Sequence, residues 1–166
     1  MRIILILCLL PIFGLSQEKG FHIPDSNEYV CVVEKGANYV IKNEDIDRFA
    51  ESFFLTDFEG RLKYAISIYK VMLDDYSGSY NEKVETFYLN DCKDCSINLS
   101  YPEKFCNIEG MVWEYEKVQD GLELKGYNFY TKGTYSDYAI IFICLKDDFN
   151  LYKNAYLEFL NKMIIL

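Results

Sequence analysis

Two cysteines separated by two residues, Cys92-Lys93-Asp94-Cys95, form the short motif in this chain that is best suited to chemistry. In a thiol oxidoreductase the first cysteine lies at a helix start, where the helix dipole stabilises the thiolate. Here the following residues form a helix poorly and are interrupted by Pro102, and the charges of Asp91 and Asp94 oppose thiolate formation. The motif therefore favours a structural disulfide over a redox centre.

Cys106 adds a third sulfur to this motif and raises the question of a metal site. A structural zinc site needs four ligands, usually as two close pairs, and the only histidine is His22, near the N-terminus. We expect no metal and no cofactor, and predict that Cys106 pairs with Cys92 or Cys95. A thiol-redox or metal-handling protein that uses these three cysteines is the first alternative.

Cys31 and Cys144 lie on predicted strands, and they pair if those strands are neighbours. Otherwise they are buried thiols that behave as small apolar side chains. Cys8 belongs to a predicted targeting segment, so five cysteines stay in the exported chain. An odd number leaves at least one thiol free or bonded to another chain.

Acid–base catalysis has weaker support. His22 lies in a polar lead-in without a nearby nucleophile, so we interpret it as a solvated side chain. Asp91, Asp94 and Glu103 fall in a long irregular stretch, residues 90–110, and loops of this length are often functional. We predict no catalytic residues and a non-enzymatic function. A carboxylate-dependent hydrolase that uses this stretch is the second alternative.

Four aromatic residues on two adjacent predicted strands are the candidate binding residues: Trp113, Tyr115, Tyr127 and Phe129. If helices leave one sheet face bare, these rings form an exposed binding surface. Trp113 and Tyr115 alternate with Glu114 and Glu116, and such alternation is equally typical of a strand with one face in the core. We favour the core for these two rings.

The chain is acidic, with 26 acidic and 17 basic residues and a net charge of −9. This charge repels phosphate backbones, so nucleic acid is a poor partner. A basic protein is a better candidate. We predict a secreted or periplasmic non-catalytic binding module, such as an acidic inhibitor or immunity-type protein that binds a basic partner.

Residues 1–16 have the features of a signal peptide. Arg2 gives the positive start, residues 3–10 form the apolar centre, and Gly14 and Ser16 are the small residues before cleavage. The apolar segment is too short to anchor the protein in a bilayer. We therefore expect no membrane anchor after cleavage, and a single domain over residues 17–166.

The N-terminal half of this domain predicts two short strands and two helices. The strands are residues 29–34 and 39–42, where β-branched residues dominate. Apolar residues at helical spacing from Ile46 to Phe54 predict the first helix, which begins at Asn43. The second helix is predicted from Thr56 to Leu73.

The C-terminal half predicts four strands and a final helix. The strands are residues 84–89, 111–118, 122–130 and 138–145, with a weakness at Gly126 that indicates a bulge, and the helix begins near Asp148. The predicted fold class is α+β. An antiparallel sheet of about five or six strands ends in a C-terminal meander, and two central helices and one C-terminal helix cover one face.

The end of the chain resembles the end of PsbP-like extracytoplasmic domains. The shared features are the apolar strand Tyr138–Leu145, the acidic pair Asp147-Asp148 and the aromatic amphipathic helix that follows. The resemblance covers less than a quarter of the chain. It implies no function for any residue.

Overall fold

The computed structural model describes residues 19–22, 29–34, 37–42, 50–57, 59–92 and 94–166. The predicted signal peptide and residues 43–49 of the first predicted helix lie outside these ranges. Within them the chain forms ten strands and two helices, with one 3-10 turn, Lys146–Asp148. In chain order the strands and helices are β1 (Lys19–His22), β2 (Tyr29–Glu34), β3 (Asn38–Lys42), β4 (Ala50–Thr56), β5 (Leu62–Val71), α1 (Tyr80–Asp91), β6 (Ser96–Phe105), β7 (Ile108–Gln119), β8 (Leu122–Lys132), β9 (Asp137–Leu145), α2 (Phe149–Lys162) and β10 (Ile164–Ile165).

Seven strands form one antiparallel sheet in the order β3-β4-β5-β9-β8-β7-β6. A second, smaller sheet has the order β1-β2-β10. The α+β class is therefore confirmed. Strands β6 to β9 follow one another as a meander, but β6 takes the place that we predicted for residues 84–89.

The central strand of the large sheet is β9, with β5 and β8 on either side. Its side chains alternate: Ile140 and Phe142 face α2, and Ala139 packs against α1. The predicted strand at residues 138–145 is thus present and covered on both faces. The prediction that helices cover one face is wrong, because α1 and α2 lie on opposite faces.

Two predicted central helices were wrong where the structure describes them, since residues 50–56 and 62–71 are strands β4 and β5. In β5, alternate residues Tyr64, Ile66 and Ile68 are buried against the α2 face. Apolar residues on both faces of a strand also fit a helical spacing, so the periodicity alone led us to predict helices here. Pairing of β5 with β9 along eight residue pairs decides for the strand.

A helix replaces the strand predicted at residues 84–89. The Glu82 carboxylate accepts hydrogen bonds from the Ser79 backbone N–H at 2.7 Å and from its hydroxyl at 2.8 Å, at the start of α1. Val84, Phe87 and Tyr88 follow at the i, i+3 and i+4 spacing of one helix face, and all three are buried. The spacing Ser79-x-x-Glu82 is typical of a helix start, but the alternating side chains of residues 84–89 led us to predict a strand.

Two smaller expectations also change. Most of the stretch predicted as irregular, residues 90–110, is the β6 strand and the turn into β7. Gly126 is not a bulge, because its pairing with Tyr115 and Ile143 is in continuous register. A Cβ atom at Gly126 would overlap the Tyr115 ring, so the glycine admits a close aromatic neighbour.

Candidate binding surface

The four predicted binding aromatics are buried, so they do not form an exposed face. Trp113 and Tyr115 are 5% and 3% exposed and pack under α1, whereas Tyr127 and Phe129 are 1% and 0% exposed and belong to the α2 side. The two pairs therefore lie on opposite faces of the sheet. The preference for the core at Trp113 and Tyr115 agrees with this burial, and the four rings share no common binding face.

The cysteines pair differently from the prediction. Cys92 and Cys95 form a disulfide within the motif, with Cα atoms 5.3 Å apart. Cys106 carries a free, exposed thiol at the β6–β7 turn, so its predicted bridge is wrong. Cys144 carries a free, buried thiol whose pKa burial raises to about 12, so the Cys31–Cys144 bridge is not formed either. Cys31 is fully buried in the core, as one predicted alternative had it.

The proposed three-sulfur site cannot assemble in this fold. Strand β6 separates Cys106 from the Cys92–Cys95 pair, and ten extended residues span about 33 Å. The same strand separates Asp94 from Glu103. Among the described residues, no group of three or more cysteine, histidine or acidic side chains is placed to hold a metal ion. The side chains of Asp91 and His22 lie outside the part of the chain that the structure describes.

The strand ends near the disulfide carry an exposed apolar surface, which we call the apolar patch. Leu124 pairs directly with Leu145, and Leu122 is two residues earlier on the same face of β8. Ile97 lies on this face too, because it pairs with Tyr115. Leu122 is 54% exposed, and Leu145 and Ile97 are each 37% exposed. The apolar patch comprises Ile97, Leu122, Leu124 and Leu145.

An open cleft of about 310 Å³ adjoins the apolar patch at Leu124. Its charged lining includes Glu116, Glu123, Lys146 and the exposed Asp94. Lys146 Nζ lies 2.6 Å from a Glu116 carboxylate oxygen and 3.6 Å from one of Glu123. The Lys146 hydrogen bond lowers the pKa of Glu116, so this carboxylate stays ionised at neutral pH. These carboxylates lie at the same strand ends as the apolar patch but on the other face of the sheet, because Glu116 pairs with Lys125 and Lys125 with Cys144, a core residue on the α2 side. The charged residue directly opposite Leu124 on the face of the apolar patch is Lys117.

A second group of charges fixes α2 to the sheet. Glu114 is only 12% exposed, and its carboxylate accepts a hydrogen bond from Lys153 Nζ at 2.5 Å. Lys125 Nζ is 4.0 Å from the same carboxylate. The Lys153 ammonium also lies 5.0 Å from the Tyr127 ring centroid and 5.5 Å from that of Phe149. These contacts set the position of α2, and hence of the turn that carries Lys146.

Sequence reasoning missed the residues of the apolar patch. Leu122 directly follows the Asp120-Gly121 turn, where Asp120 and Gly121 both have positive φ angles. A leucine beside a tight turn at a strand end is a signal for an exposed apolar side chain. Its position beside Leu145 follows only from the β8–β9 pairing.

No protein-family model and no curated protein matches this chain. Solved structures share its fold. CyanoP, the cyanobacterial PsbP of Synechocystis sp. PCC 6803, has a TM-score of 0.65 over 92% of this chain and 96% of its own, at 12% identity. PA94 of Pseudomonas aeruginosa, a protein of unknown function, has a TM-score of 0.62 over 90% of this chain and 99% of its own, at 9% identity.

A Bacteroides thetaiotaomicron VPI-5482 protein has a TM-score of 0.58 and 12% identity over 90% of this chain, which spans 49% of that protein. At such identities the likeness shows the fold alone. The likeness to CyanoP agrees with the resemblance of the last strand and helix to PsbP-like domains. Among the described residues, no helix has the length and apolar character needed to cross a membrane.

Proposed function

We propose that this protein is a secreted or periplasmic, non-catalytic binding module whose apolar patch docks a basic protein partner. The observation that carries the proposal is the set of exposed leucine and isoleucine side chains on one face of the strand ends, which also carry the acidic residues Glu116 and Glu123 on the other face. Export is supported by the predicted signal peptide, and the Cys92–Cys95 disulfide fits an oxidising compartment.

The net charge of the chain selects the partner. Interfaces combine an apolar centre with a polar rim, and charge complementarity accelerates encounter and excludes wrong partners. The chain has a net charge of −9, so a second copy of itself would be repelled. A basic surface with its own apolar centre would be attracted. An inhibitor or immunity-type protein against a basic exported enzyme is one concrete form.

The test is affinity capture from the extracytoplasmic fraction of the source organism. Three baits are compared: the unchanged protein, Leu122→Asp in the apolar patch, and Leu151→Asp on α2 as a matched control. Leu151 is 68% exposed and Leu122 is 54% exposed, so the control places a charge on a leucine position that is at least as open. Capture is repeated at low and high salt, because attraction between exposed charges weakens as salt rises.

We expect one basic protein to bind the unchanged bait and the Leu151→Asp bait at low salt. Binding should be lost with Leu122→Asp and weakened by salt. The captured protein is then purified, and its dissociation constant is measured against each bait. Equal affinity for both aspartate variants, or capture of no basic protein at low salt, would refute the proposed docking surface.

A further inference from the structure

Helix α1 is anchored to the sheet by few side chains. Of its described side chains three are buried, those of Val84, Phe87 and Tyr88. Helix α2 buries four side chains and is also joined to the sheet by hydrogen bonds that Tyr156 and Lys153 donate. Elements with fewer buried contacts open at a lower free energy than the rest of a domain. We therefore expect α1 to leave the sheet more readily than α2.

The docked position of α1 leaves two polar atoms unsatisfied. Trp113 Nε1 is buried without a hydrogen-bond partner in the described residues, under a Tyr88 ring whose centroid is 5.0 Å from that of the indole. The hydroxyl of Tyr80, the first residue of α1, is buried without a partner in the same way. A buried donor that lacks a partner is destabilising. Water would reach both groups if α1 left the sheet, so both favour the undocked helix.

The Cys92–Cys95 disulfide opposes this release. Cys92 ends α1, and its backbone N–H donates a hydrogen bond to the Tyr88 carbonyl at 2.9 Å. Cys95 directly precedes β6, and its N–H donates to the Cys92 carbonyl at 3.1 Å. Both cysteines are half-buried and pack against the same apolar cluster as Tyr88. The disulfide therefore joins the end of the helix directly to the edge strand of the sheet.

We propose that the Cys92–Cys95 disulfide is a redox latch that keeps α1 docked on the sheet. Reduction by a dithiol breaks the S–S bond and transfers two electrons and two protons to the cysteines, while the dithiol is oxidised to its own disulfide. With the bond open, the end of α1 gains freedom and the helix undocks. Trp113, Tyr115 and Tyr130 then become accessible on the sheet. The release needs no partner, so it is independent of the docking surface proposed above.

The test is amide hydrogen exchange of the whole protein with and without excess dithiothreitol, measured by mass spectrometry of peptides from α1 and α2. The intact mass shows whether the disulfide has opened. We expect the amides of residues 84–91 to exchange about tenfold faster after reduction, because the opened bond no longer restricts the undocked state. The amides of α2 should exchange as before. The emission of Trp113 should move to longer wavelength as water reaches the indole.

Two variants separate the latch from the other cysteines. Cys92→Ser combined with Cys95→Ser should give the fast exchange without dithiothreitol, and no further change with it. Cys106→Ser removes an exposed thiol outside the disulfide, so α1 in this variant should respond to dithiothreitol as in the unchanged protein. Reduction of the unchanged protein needs no substitution, so it decides the question if the double variant does not fold.

Three results would overturn the proposal. The first is equal exchange of α1 with the disulfide open and closed. The second is an equal loss of protection in α1 and α2, which would show that reduction loosens the whole domain. The third is a disulfide that excess dithiothreitol does not open.

Discussion

Replacing Gly126 by alanine tests the tightest cross-strand contact that we describe. Gly126 lies in β8 opposite Tyr115 in β7, and an added Cβ would overlap the Tyr115 ring at Cε1, Cζ and the hydroxyl oxygen. Tyr115 is 3% exposed and also meets the Tyr88 ring, with centroids 5.9 Å apart. Since the ring is enclosed by α1, it cannot turn aside without displacing that helix.

The magnitude follows from two losses. Inserting a methyl group into a packed core costs about 1 to 3 kcal/mol. Displacing the Tyr115 ring from Tyr88 removes an aromatic contact of about 0.5 to 1.5 kcal/mol. We therefore expect Gly126→Ala to lower the free energy of unfolding by about 2 to 4 kcal/mol. Such a loss is readily measured against a total of about 5 to 15 kcal/mol for a domain.

Guanidinium unfolding, followed by tryptophan fluorescence, measures this loss. Trp113 is the only tryptophan and stacks on Tyr88 with ring centroids 5.0 Å apart, so its emission reports the docking of α1. The same substitution is then made in a Tyr115→Val background, where the overlapping ring is absent. There the cost of Gly126→Ala should fall to about 0.5 kcal/mol or less.

Gly121→Ala is the matched control. A Cβ atom at Gly121 meets nothing within 4 Å, but its φ angle of +78° favours glycine. Its cost of about 1 kcal/mol should be the same in the unchanged protein and in the Tyr115→Val background, because Gly121 does not contact the ring. If Gly126→Ala costs as much without the Tyr115 ring as with it, the packing argument fails.

Three further predictions concern single side chains. Lys153→Met should cost about 1 to 3 kcal/mol in denaturant unfolding, because it removes the hydrogen bond of the shielded Glu114 carboxylate and leaves only Lys125 at 4.0 Å, whereas Lys162→Met at an exposed pair should cost under about 0.5 kcal/mol; equal costs would contradict this. In the native protein a thiol reagent should label Cys106 rapidly and Cys144 only on unfolding, since burial raises the pKa of Cys144 to about 12; rapid labelling that survives Cys106→Ser would refute it. Burial raises the pKa of Asp137 in the folded state, so stability falls as pH rises through its unfolded value of 3.8. Asp137→Asn should therefore raise the unfolding temperature at neutral pH but not at about pH 3, and a difference at both would refute the assignment.

Local signals were sufficient for the C-terminal part of the fold. Asp120-Gly121 predicts the β7–β8 hairpin, because both residues accept positive φ angles. The final helix begins directly after Asp148, as predicted, and its buried Tyr156 donates a hydrogen bond to the Ile140 carbonyl at 2.6 Å. In these segments the turn residues, the periodicity and the packing all favour one structure.

The binding surface was harder to predict because exposure is a tertiary property. Trp113 and Leu122 are both large apolar residues on neighbouring strands, yet one is 5% and the other 54% exposed. The difference arises from α1, which covers the middle of the sheet but not the strand ends near the disulfide. Since we predicted that α1 was a strand, no helix was available to bury Trp113.

The largest error was the helix predicted over residues 62–71, and the need of β9 for a hydrogen-bonded neighbour on each edge would have corrected it. A strand that is apolar on both faces lies inside a sheet, so both of its edges must find hydrogen-bonded neighbours. The short turn at residues 133–136 supplies β8 on one edge only. The other edge needs a partner of eight or more residues with apolar side chains on both faces. Residues 62–71 have apolar side chains on both faces: Tyr64, Ile66 and Ile68 on one, and Ala65, Tyr69 and Val71 on the other. The need of β9 for a second neighbour therefore favours a strand here, although the spacing of the same residues also fits a helix.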